Sequence, residues 1–126
     1  MSELRTLGPQ RADAVETLCD LIVPGFARVG SVVYLDAMLT GMPPEVRDGA
    51  LAAIDALAPA AAEGVDALAE RAQTPEFGFV RALAIEAYYS DLVAPGKEGP
   101  GAWQEIDFNS PLATRLQKDW SWLGIT

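Results

Sequence analysis

The sequence predicts an all-α protein: a small bundle of about five short helices followed by an irregular, aromatic-rich C-terminal arm. Three observations carry this. Apolar residues recur at helical spacing in blocks as far as Ser90, and proline or glycine punctuates each block. Alanine supplies much of the 50% hydrophobic content, which suits close helix-on-helix contacts around a thin core. After Asp91 the periodicity disappears, although six of the ten aromatic residues lie from Tyr88 onward. Residues 1–91 are therefore expected to form the bundle and residues 92–126 a Gly/Pro-rich loop and arm, within a single domain of 126 residues.

The first helix is expected from Pro9 to Ile22, with Val15, Leu18, Cys19 and Ile22 on one stripe and Pro24-Gly25 as its stop. Cys19 lies on that stripe and reads as a buried small hydrophobe. Ser31 is placed to cap a short helix ending at Leu39, although Val32-Val33-Tyr34 also has strand propensity. Pro43-Pro44 opens a third helix whose stripe is Val46, Ala50, Leu51, Ile54 and Leu57. Pro59 is expected to separate it from a peripheral fourth helix, Ala61 to Gln73, with Val65, Leu68, Ala69 and Ala72 inward. Thr74-Pro75-Glu76 supplies a cap, a first-turn proline and a first-turn acid for the fifth helix, Pro75 to Ser90. That helix is apolar almost all round, so it belongs in the middle of a bundle or beneath another subunit. Its notable charges, Arg81 and Glu86, are five apart and do not pair along one helix. Beyond it, 95–101 reads as a turn-rich loop, Trp103 to Phe108 as an extended segment, and Asn109 or Ser110 as the cap of a last short helix.

Composition excludes several classes of function. A net charge of −9 disfavours nucleic acid and anionic membrane surfaces. The chain has no histidine and one cysteine. That excludes a Ser-His-Asp triad, imidazole metal ligation, an intrachain disulfide and a multi-cysteine zinc site. No apolar run approaches the roughly 20 residues that span a bilayer, and no secretory signal opens the chain, so a cytoplasmic protein is expected. The close carboxylates Glu45/Asp48 and Asp66/Glu70 lie on charged helix faces and read as solvated. No glycine pattern stands before a helix as a phosphate cradle does. No catalytic, cofactor-binding or metal-binding residue is expected in this chain.

What remains is recognition. Tyr88 and Tyr89 leave two readings open: one ring in the core with the other capping the helix end, or at least one facing a partner. Trp103, Phe108, Trp120 and Trp122 pose the same choice, and so many rings in a nonperiodic tail favour a partner. Asp91 alone also suits an Asx turn.

The same residues resemble a known family. Leu18-Cys19-Asp20-Leu21-Ile22-Val23-Pro24-Gly25 is similar to the "ADAIIPG" helix-and-stop of the gluconate 2-dehydrogenase subunit 3 family, and Ala37-Met38-Leu39 resembles its next short helix. The most specific likeness is Glu86-Ala87-Tyr88-Tyr89-Ser90-Asp91, a Gly-rich loop and Trp103, set against "EGYYSDP", a Gly-rich stretch and "GW-x-x-[IL]-x-[FY]". Ala87 stands where the family has Gly, and Leu92 where it has Pro.

The resemblance implies a small, mostly helical, non-catalytic subunit of a large FAD-dependent oxidoreductase of the glucose-methanol-choline type. FAD would sit in that partner, which would oxidise a sugar, glycoside or polyol hydroxyl. The twin-arginine signal carried by many members is not found here, which implies an intracellular complex. Tyr88, Tyr89, Ser90, Asp91, Trp103, Phe108, Trp120 and Trp122 are the expected partner-interface residues. The alternative from a different class is a stand-alone helical homo-oligomer with a structural role.

Overall fold

The computed structural model describes residues 4–106 and 121–125. Among these the regular elements are all helical: α1 (Pro9–Ile22), α2 (Phe26–Val29), α3 (Val32–Gly41), α4 (Pro44–Glu63), α5 (Val65–Ala69), α6 (Pro75–Tyr89), α7 (Ala102–Glu105) and a 3-10 turn at Ser121–Leu123. The last helix expected after Asn109 lies outside the described residues, as do Phe108, Trp120 and the side chain of Trp122.

The long helices α1, α4 and α6 pack on one another, and α3 closes the assembly beside α6. The buried faces of α1 and α4 mix alanine with a few larger aliphatic side chains. Ala12, Val15, Leu18 and Cys19 of α1 are buried, as are Ala50, Ala53, Ile54, Leu57, Ala60 and Ala61 of α4. Outside the seam, Arg11 clamps Asp55 with two hydrogen bonds of 3.0 and 2.8 Å. The bond to Arg11 holds Asp55 below the usual carboxylate range, and Asp55 in turn raises the Arg11 pKa.

Burial overrides local preference in α3. Despite its β-branched opening, this segment is helical and buries Val32, Tyr34, Leu35, Asp36, Ala37 and Leu39. It is the enclosed helix of the bundle, one of the two places that the sequence pattern allows for α6. By contrast α6 buries only Val80, Leu83, Ala84, Ala87 and Tyr88, and leaves Phe79 and Tyr89 exposed. Ser31 stands before α3 but does not cap it. Its backbone is already helical, and its hydroxyl is buried without a hydrogen-bond partner. Asp36 is also buried, and here the polar group is satisfied: its carboxylate accepts the backbone N–H groups of Arg5, Thr6 and Leu7 at 2.8–2.9 Å. The N-terminal segment is thereby fixed to α3, and the Arg5 guanidinium reaches across to the Leu123 carbonyl. Ile125 is buried in the same core.

Helix α4 differs from the expectation at its end. It continues through Pro59 and stops at Gly64. Pro59 is on the exposed side, where water can satisfy the carbonyl that a proline leaves without its N–H. Gly64 has φ 120° and ψ −178°, which L side chains rarely adopt, so the break falls there. Beyond the break the chain forms only the five-residue α5. Leu68 is buried, but Val65 is 59% exposed and Ala69 and Ala72 face out, which corrects their assignment to a fourth-helix stripe. Helix α6 starts as its sequence indicates, with the Thr74 hydroxyl accepting the Phe77 N–H.

Candidate functional site

The two stretches that stand out in the sequence meet in space at one end of the bundle. Pro24-Gly25 ends α1, and Gly25 turns the chain with φ 103°. Asp20 holds this turn by accepting the N–H groups of Gly25 and Ala27 at 3.2 and 3.1 Å. The turn leads into α2, a helix not expected from the sequence, whose Phe26 and Val29 are fully buried. Gly25 is required for a second reason. A Cβ there would stand 2.7 Å from the Tyr88 hydroxyl and 3.0–3.1 Å from its ring.

Tyr88 and Tyr89 divide the work between them. Tyr88 has no exposed surface, so this ring belongs to the chain's own core and offers nothing to a partner. Its hydroxyl donates to the Glu105 carboxylate. Burial pushes the Tyr88 pKa up to about 12; the bond to Glu105 and its charge add to this, and Arg28 opposes it. Tyr89 stands edge-on to Tyr88, with centroids 5.1 Å apart and an interplanar angle of 80°, and is 37% exposed.

Past α6 the chain is stapled by short-range and long-range bonds. Ser90 donates to the Ala87 carbonyl at 2.7 Å and accepts the Leu92 N–H at 3.2 Å. Asp91 takes φ 70°, the one positive φ outside glycine among the described residues. Aspartate tolerates this conformation because its short side chain can bond locally or to nearby backbone. Here its carboxylate accepts the Trp103 N–H at 3.0 Å and fills the space in which Gly101 lacks a side chain. Trp103 completes the ring by donating its indole N–H to the Tyr89 carbonyl at 2.8 Å.

The intervening loop docks on α2. Ala94 N–H bonds the Val29 carbonyl at 2.8 Å, and Arg28 donates to the carbonyls of Glu98 and Pro100. Leu92, Ala94 and Ala102 are buried beneath it. The extended segment expected from Trp103 is instead the helical turn α7, whose Trp103 N–H is accepted by Asp91 from twelve residues away.

Tyr88, Tyr89, Ser90, Asp91 and Trp103 thus form one cluster, whereas Phe108, Trp120 and the Trp122 side chain lie outside the described residues. Sequence reading missed several contributors. Asp20 and Gly25 stand inside a stretch in which the sequence pattern shows only a helix stop. Arg28 and Glu105 act across 70 and 17 residues and leave no local signal. The outward products of the cluster are apolar: Tyr89, half-buried Trp103 and Ile106, which is 52% exposed, with Phe79 at 40% further along α6. Cys19 is fully buried, and burial pushes its thiol up to about 12, which removes nucleophilic character at neutral pH. No group of acidic or sulfur side chains able to hold a metal ion occurs among the described residues, and no described helix is long and apolar enough to cross a membrane.

No family model, no curated protein and no solved structure matches this chain.

Proposed function

We propose that this chain is a non-catalytic small subunit that binds and stabilises a large FAD-dependent oxidoreductase of the glucose-methanol-choline type in the cytoplasm. The partner would oxidise a sugar, glycoside or polyol hydroxyl. The observation that carries this reading is the Glu86–Trp103 block. Its residues resemble the small-subunit signature, and they are used here to fix a loop beside which Tyr89 and Ile106 are exposed and Trp103 half-buried. Aromatic groups held on a rigid support bind with little loss of conformational entropy. Binding only the folded partner would stabilise it by about 2.7 kcal/mol at a hundredfold excess over the dissociation constant. Hydride chemistry on the flavin would belong to the partner; this chain's residues would cover apolar surface beside it.

Co-expression with a FAD-dependent flavoprotein of the glucose-methanol-choline type from the same organism tests the proposal. The expected outcome is a yellow complex of equal stoichiometry, with the large chain insoluble or inactive when expressed alone. Equal yield and activity of the large chain without this one would contradict it.

A further inference from the structure

The outer strip of α6 has an unused pattern. Gly78, Ala82, Ile85 and Tyr89 follow one another at intervals of four, three and four residues, the spacing of a coiled-coil seam. Gly78, Ala82 and Tyr89 are not buried, and Ile85 is half-buried. Arg81 and Glu86, both exposed, flank this strip on opposite sides, and neither forms an ion pair among the described residues. Five residues apart, they cannot meet along one helix. Between two parallel helices, five residues is the spacing at which flanking charges on opposite sides of the seam pair across it.

We infer that the outer face of α6 is a self-association surface, on which a second copy of this chain packs its own α6 in parallel about a two-fold axis. In that arrangement Arg81 of each copy faces Glu86 of the other, so both charges are matched twice. An antiparallel pair would instead set like flanks together, arginine against arginine and glutamate against glutamate. Gly78 and Ala82 let the backbones approach closely, while Tyr89, with Phe79 beside the seam, supplies contact area. The inference does not rest on the accessory-subunit reading; with Tyr89 in the seam between copies, Trp103 and Ile106 are the outward apolar groups left for a large partner chain.

Sedimentation equilibrium of the full chain tests it, with R81E and E86R as the probes. The wild type is expected to dimerise. R81E sets two carboxylates together at each flank and E86R two guanidiniums, so each alone weakens the dimer tenfold or more. An equimolar mixture restores it, because every flank is again matched. Both positions are exposed, so unchanged helical circular dichroism verifies folding. A82C adds the orientation: a parallel seam brings residue 82 of the two copies together, and mild oxidation yields a disulfide-linked dimer. A monomeric wild type overturns the inference. So does single-variant dimerisation at wild-type strength, a mixture that fails to recover, or an A82C chain that does not cross-link.

Discussion

The α1–α4 seam and the clasped loop from Ser90 to Trp103 are comparable in length but are held by different physics. The seam is apolar and repetitive: buried alanines and aliphatic side chains recur at helical spacing on both helices, and one exposed ion pair decorates the edge. The loop has no repeat, and specific bonds fix it: Asp91 to the Trp103 amide, the Trp103 indole to Tyr89, and Arg28 to two loop carbonyls. A seam of this kind tolerates exchange of one small residue for another. A loop of this kind fails when one donor or acceptor is lost, because its partner is left unsatisfied. Regular packing builds the body, and long-range polar bonds build the surface that a partner would meet.

The largest effect is expected where the two regions join, at Tyr88. Tyr88→Ala opens a cavity under the loop and should lower stability by about 3–5 kcal/mol in chemical denaturation, as large-to-small core changes do. Gly25→Ala attacks the same contact from the other side; overpacking at a positive φ should cost about 1–3 kcal/mol or more. Tyr88→Phe keeps the packing and isolates the hydroxyl through pH.

The folded state holds the Tyr88 proton more tightly than the unfolded chain, with a pKa of about 12 against 10.0, and the Cys19 proton likewise, about 12 against 9.0. Their stabilising contributions are therefore complete below pH 9 and are lost as pH rises toward 12. In Tyr88→Phe the part of that loss between pH 10 and 12 should shrink. An unchanged alkaline profile would show that the hydroxyl is not held as described.

Pro59→Ala sharpens the comparison from the seam side. It restores an N–H inside a continuous α4 and should stabilise by up to about 3 kcal/mol, read as a rise in Tm. Were Pro59 a true helix boundary, the change would be near neutral. The smallest effect is expected at Ser31. As a working cap its replacement by alanine would cost about 1 kcal/mol. With its hydroxyl buried and unpartnered, Ser31→Ala should instead be neutral or slightly stabilising.

These contrasts also explain what was legible in the sequence. The span of α1 and the start of α6 follow from apolar spacing and from Pro9, Thr74 and Pro75, all local signals. The end of α4 is not legible from Pro59, because a proline on a solvated face costs less than a generic proline, whereas Gly64 must adopt a backbone that only glycine takes easily. Val32 to Leu39 is helical because burial on nearly every side outweighs β-branched preference. At the candidate site, the residues Tyr88 to Asp91 and Trp103 were visible as a motif, but their division into core and surface was not. Which tyrosine turns inward depends on Gly25 and Glu105, groups far away in the chain.

Hydrogen exchange at Trp103 in the isolated chain tests most directly whether the loop is a built surface. The account predicts slow exchange of both its amide and its indole N–H, with Asp91→Ala releasing the amide while the amides of α1 and α4 stay protected. Exchange of both Trp103 protons in the wild type at the rate of an unstructured peptide would contradict it.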